Sequence, residues 1–215
     1  MPATPPDALL FIAPGCPHCP VVLQALSEMV KQGAIGRLEV VNVAAHPEQA
    51  AALGVRAAPW TRLSPFELEG AQTPQELRRW AELAGKPDGI TRYLEQLLRD
   101  GQLARAEQQL ARHPDWLSHL MPLLTQADTP MQVRVGVGAL LEGQAGSAEL
   151  QALVPALGEL SRMADHSVRA DACHYLGLSG SAEAVPFLRA RLEDENGEVR
   201  EIAGEALEML GYRPA

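Results

Sequence analysis

The sequence predicts two folded parts in 215 residues, an α/β unit over residues 1–85 and an all-α unit over residues 86–215. Three observations carry that division. Short β-like runs alternate with helical ones up to Gly85-Lys86-Pro87-Asp88-Gly89, and almost everything after it is helical, with Gly and Pro punctuation. A cysteine pair, Cys16-Pro17-His18-Cys19, closes one β-like run and opens a helical one. In the second part the dipeptide Val-Arg recurs at 133–134, 168–169 and 199–200. Charge shifts at the same boundary: residues 1–85 hold 8 acids and 6 bases, residues 86–215 hold 19 acids and 12 bases.

The first part reads as β-α-β-α-β-β-α. Residues 8–13 are a continuous apolar run, the pattern of a buried strand. Residues 17–32 form a helix with Val22, Leu26 and Met29 on one stripe, ended by Gly33. Arg37 to Val43 is a second strand. Pro47 begins a short helix that Gly54 stops. Trp60 to Leu63 and Pro65 to Leu68 pair as a hairpin around Ser64. Thr73-Pro74-Gln75-Glu76 opens a last helix, through Leu83, with the spacing of a capping box.

Two cysteines two residues apart at a strand-to-helix turn are the minimal apparatus for thiol–disulfide exchange. The first sulfur, Cys16, is placed at a helix N-terminus, where free backbone N–H groups and the dipole favour an anion. A lowered pKa makes it the nucleophile. Cys19, one turn on, can attack the mixed disulfide and release the product. The chemistry needs no cofactor beyond the two thiols. His18 and Pro17 lie between them, and His18 is expected to tune the Cys16 thiolate through partial positive charge and hydrogen bonding. The same spacing also suits half of a zinc site. That would need two more ligands, and His18, His46 and Cys173 form no second pair, so no metal is expected. His46, before Pro47, is read as structural, and Cys173, on an Ala/Leu-rich helix, as a buried small hydrophobe.

That element order, with the cysteines after the first strand, resembles the thioredoxin superfamily over about residues 7–85. Val55-Arg56-Ala57-Ala58-Pro59 stands where that family carries its cis-proline, although a trans turn proline remains open. The resemblance implies that Pro59 lies against the cysteine pair and that the Ala58 backbone receives substrate as an added strand. Trp60, next in sequence, is expected on the substrate surface. Cys-Pro-His-Cys-Pro itself is similar to small glutaredoxin-like proteins. The family's tryptophan before the first cysteine is Gly15 here, the first strand carries no carboxylate, and Glu69-Gly70-Ala71-Gln72-Thr73 lacks the glycine-rich glutathione turn.

In the second part an aspartate accompanies each Val-Arg: Asp128 and Asp194 five residues before the valine, Asp165 three before. Small or apolar helical runs follow, Val137 to Leu141, Ala172 to Leu176 and Ala203 to Leu207. Leu150/Leu153/Leu157/Leu160 and Val185/Leu188/Leu192 mark the preceding helices. Helix pairs at spacings of 35 and 31 resemble HEAT repeats, over about residues 116–211. A plain helical bundle is the alternative. The resemblance implies a surface for a protein partner, with aspartate and arginine bracing successive repeats. Residues 88–112 are expected to cap the stack.

The net charge of -9 argues against sequence-independent nucleic-acid binding. No apolar run reaches the length of a membrane span. The first residues lack a basic n-region, so a cytoplasmic location is expected. The sequence therefore predicts an α/β thioredoxin-like fold followed by an all-α HEAT-like helical repeat domain. Its expected activity is thiol–disulfide exchange on a protein disulfide. A redox-regulated adaptor, whose cysteines switch partner binding, is the other class.

Overall fold

The structure, a computed structural model, describes residues 4–126 and 128–212. The chain divides into two compact units, one up to Tyr93 and one from Leu94.

In the first unit, β1 (Ala8–Ile12), α1 (Cys19–Lys31), β2 (Leu38–Asn42), α2 (Pro47–Ala52), β3 (Trp60–Leu63), β4 (Phe66–Glu69) and α3 (Pro74–Leu83) follow in that order. The sheet runs β2-β1-β3-β4, and only the β1–β2 pairing is parallel. β1 lies between two neighbours and is buried on both faces, which explains its unbroken apolar run. Leu10 sits opposite Val40 on one side and Thr61 on the other. On one face Leu9, Phe11, Val41 and Trp60 close over Ala50 of α2. Around Phe66, the rings of Trp80 and Tyr93 gather at centroid distances of 5.3 and 5.1 Å. The capping box is complete: Glu76 N–H donates to Thr73 Oγ1 (3.2 Å), and Thr73 N–H donates to Glu76 Oε2 (2.7 Å).

Tyr93 is the last residue of the first unit and is tied to β4. Its hydroxyl donates to the Glu67 carbonyl (2.8 Å) and accepts from the Glu67 N–H (3.3 Å). The first residues of α4 (Gly89–Arg99) thus belong to the first unit. Gly89 is fixed by close approach, since a Cβ there would run into the Leu83 carbonyl.

The second unit continues with α5 (Leu103–Arg112), a 3₁₀ segment (Pro114–Leu120), α6 (Met121–Thr125), α7 (Met131–Glu142), α8 (Ala148–Ala152), α9 (Val154–Leu160), α10 (His166–Leu178), a second 3₁₀ segment (Ala182–Ala184), α11 (Val185–Arg189) and α12 (Gly197–Met209). The long helices α7, α10 and α12 carry the three Val-Arg pairs in their first turns, and Val133, Val168 and Val199 are all buried. A broken helix precedes each. The run expected as one helix from Leu150 to Leu160 is two, α8 and α9, because Pro155 has no N–H to continue the first. Pro122 and Pro186 occupy the matching place in α6 and α11. Two residues beyond each proline a leucine, Leu124, Leu157 or Leu188, is buried. Among the described residues, no helix is long and apolar enough to cross a membrane.

Candidate functional site

Cys16 and Cys19 are joined as a disulfide, with Cα atoms 5.6 Å apart. They lie between the end of β1 and the start of α1. The helix begins at Cys19, not at Pro17 as the sequence suggested. The first intrahelical bond runs from Val22 N–H to the His18 carbonyl, and Pro20 fits the first turn because it has no N–H to place. The Cys19 N–H, left over at the helix start, donates to Cys16 Sγ (3.2 Å). The sulfur is thus held at the N-terminus of a thirteen-residue helix by a group that stabilises negative charge on it.

The two sulfurs differ in access. Cys16 is half-buried, whereas Cys19 is 5% exposed. A thiolate at Cys16 can meet an incoming disulfide, and Cys19 can meet only what is already bonded to Cys16. Pro17, His18 and Pro20 are exposed around the pair. His18 caps α1 through its backbone alone; its imidazole makes no cap hydrogen bond.

Across from the pair, the Ala58 carbonyl oxygen lies 3.6 Å from Cys16 Sγ. Residues 42 apart in sequence therefore meet at one sulfur. The Ala58–Pro59 peptide is cis, as is Ser64–Pro65, and the Pro59 carbonyl accepts from Gly70 N–H (2.9 Å). The structure corrects the expectation for Trp60. Its side chain is 1% exposed and meets Phe11 edge-on at 5.7 Å, so it builds the core and offers no surface to a substrate. The pairing of Trp60 with Phe11 turns the indole to the face that α2 covers.

Cys173 is fully buried, and burial pushes its thiol up to about 12. Among the described residues, no three His, Cys, Asp or Glu side chains gather as a metal-binding group.

In the second unit the arginines of the Val-Arg pairs turn back on the preceding loop. Arg134 donates to the Gln126 carbonyl (3.1 Å), Arg169 to those of Met163 (3.0 Å) and Ala164 (2.8 Å), and Arg200 to those of Asp194 (2.6 Å) and Glu195 (3.2 Å). Arg169 also reaches into the next helix pair, where it grips Asp194 with two bonds, Nε to Oδ2 (2.9 Å) and Nη2 to Oδ1 (2.8 Å). Both side chains are buried. The bonds from Arg169 hold the Asp194 carboxyl below the usual aspartate range.

The three aspartates do not share one role. Asp165 is the N-cap of α10, accepting from Ser167 N–H, and Asn196 does the same for α12, accepting from Glu198 N–H (both 2.9 Å). Each stands three residues before its valine. Five residues before the valine stand Asp128, Met163 and Asp194. Only Asp194 has an arginine of the preceding pair to receive. The expected brace therefore exists between the last two helix pairs, and Met163 removes it between the first two. The recurring prolines 122, 155 and 186, at nearly the Val-Arg period, were a further repeat signal in the sequence.

A comparison with protein families matches HEAT repeats over residues 117–208. Residues 117–208 of the helical unit are thus similar to such repeats, in which successive helix pairs bury their faces against one another. Among curated proteins no match is found.

Proposed function

We propose that the first unit is a thioredoxin-like thiol–disulfide oxidoreductase of the cytoplasm and that the HEAT repeats hold the protein on which it acts. The observation that carries this reading is the setting of Cys16 Sγ, half-buried, receiving the Cys19 N–H and facing the Ala58 carbonyl. In the reduced protein the Cys16 thiolate attacks one sulfur of a partner's disulfide. That S–S bond breaks, the departing thiolate takes a proton from water, and a mixed disulfide forms. Cys19, deprotonated to water, then attacks Cys16 Sγ, forming the Cys16–Cys19 bond and releasing the second partner thiol. Two electrons pass to the partner, and a separate dithiol donor restores the pair. Ala58 and Pro59 line the approach to Cys16. The exposed His18, between the two cysteines, is the residue assigned to tuning the Cys16 thiolate.

The test is reduction of insulin disulfides by dithiothreitol, with and without the protein. Catalysis is expected for the native chain and lost for Cys16→Ser. Cys19→Ser should stall as a mixed disulfide that a non-reducing gel displays. A native rate equal to the dithiothreitol background would overturn the reading. A reduction potential near -270 mV supports net reduction, and one near -120 mV reverses the direction. The repeats favour a second reading, a redox-regulated adaptor. It would be selected by partner affinity that differs between dithiol and disulfide forms without turnover.

A further inference from the structure

The three repeats can be compared position by position by aligning Val133, Val168 and Val199. Two residues after each stand Val135, Ala170 and Glu201. Ala170, on the helix α10 that packs along α12 of the next repeat, is 4% exposed. Glu201, on α12, is exposed. Val135 is internal to the stack yet 65% exposed. α10 touches α7 only sparingly and leaves this position open. Met131, one turn earlier on the same face of α7, is also exposed.

The missing brace lies at the same seam. Where Asp194 meets Arg169 in the following pair, the repeat supplies Met163, an exposed apolar side chain. The seam between α7 and α10 therefore carries three open apolar residues, where the next seam has a buried alanine and a buried ion pair. An isolated exposed valine needs no explanation, but Met131 and Val135 lie one turn apart on α7, and Met163 takes, in the loop before α10, the repeat position that Asp194 holds at the next junction. The surroundings of this seam are acidic on balance. Asp171 of α10 stands within electrostatic range of Arg134, His174, Asp165 and Glu198. Glu142 of α7 faces His174 Nε2 at 3.4 Å. Arg134 gives one N–H to the Gln126 carbonyl and keeps its positive charge facing Asp171, so Asp165, Glu142 and Glu198 supply the acidic excess.

We infer that the α7–α10 seam is a docking site for a partner segment with apolar residues flanked by Lys or Arg. The apolar residues cover Met131, Val135 and Met163, and the basic ones meet Asp165, Asp171 and Glu198. The inference rests on reading the helical unit as a partner-binding surface, and it stands apart from the cysteine chemistry.

The probe is a fluorescein-labelled amphipathic peptide of leucine and lysine, compared by anisotropy with one of leucine and glutamate, on the full chain. The lysine peptide is expected to bind, and Val135→Lys, which removes the apolar contact and opposes the peptide's charge, to weaken it at least about ten-fold. Because Val135 is exposed, that variant keeps its core; unchanged far-UV circular dichroism verifies this. Cys16→Ser should bind the peptide like the native chain, so a failure of the redox reading and a failure here are read separately. Equal binding of both peptides, no binding of either, or indifference to Val135→Lys would overturn the proposal. So would sedimentation showing a dimer of the native chain that Val135→Lys dissociates, since a second copy would then fill the seam.

Discussion

Removing the carboxylate of Asp194 tests the repeat packing most directly. In Asp194→Ala the Arg169 guanidinium loses both of its strongest bonds, and the Asn196 N–H (3.0 Å) and Arg191 Nη1 (3.2 Å) lose their acceptor. Stripping one partner from a buried ion pair costs about 3–5 kcal/mol. Arg169 keeps the Met163 and Ala164 carbonyls, and exposed Glu195 lies 3.3 Å away, so the lower end, about 3 kcal/mol, is expected. Arg134→Met provides the comparison. That arginine is half-buried and holds one carbonyl, so its loss costs about 1 kcal/mol. The assay is urea unfolding followed by the helical circular dichroism signal, which the second unit dominates, with the first unit's transition fitted separately. An Asp194→Ala cost no greater than that of Arg134→Met would refute the argument that the buried pair ties the last two repeats together. The pH dependence supplies an independent arm. With its carboxyl below the ordinary range in the folded chain, Asp194 takes up a proton in the unfolded chain first as pH falls. Its contribution is complete above about pH 4 and is lost as pH falls through the lower folded-state value. Asp194→Asn should therefore lose less stability than the native chain as pH falls below about 4.

Two further outcomes follow from local geometry. Cys173, buried and pushed up to about 12, should resist alkylation by iodoacetamide at pH 8 in the folded chain and react in urea; native-state labelling at the urea rate would contradict its burial. Thr73→Ala removes the acceptor of the Glu76 N–H and should destabilise the first unit by about 1 kcal/mol in urea titration, with Thr73→Ser restoring most of it.

Local rules carried the reading of the first unit furthest. The turn between β1 and α1, the stripe of α1, and the Thr73–Glu76 box each depend on residues within a turn or two of one another, so their spacing alone defines them. Trp60 shows where this ends. Its adjacency to Pro59 suggested a surface role, but a strand turns successive side chains to opposite faces, and the Phe11–Trp60 register decides which face Trp60 takes. Tyr93 is similar: nothing near it in sequence announces a bond to Glu67.

In the repeats the dipeptide period was legible because every repeat needs its buried valine. The aspartates misled by sharing a residue type while serving two geometries. Three residues before the valines of α10 and α12 a short acceptor caps the helix, and asparagine serves as well as aspartate, so Asn196 does for α12 what Asp165 does for α10, while α7 has Pro130 there and no side-chain cap. Five residues before, the side chain faces the preceding repeat, and only a carboxylate can take both arms of an arginine. Asp194 is therefore held to its charge by Arg169, whereas Met163 offers Arg134 no acceptor, and Arg134 donates to the Gln126 carbonyl. The difference between a closed and an open seam thus comes down to one side chain per repeat, read at a spacing of five.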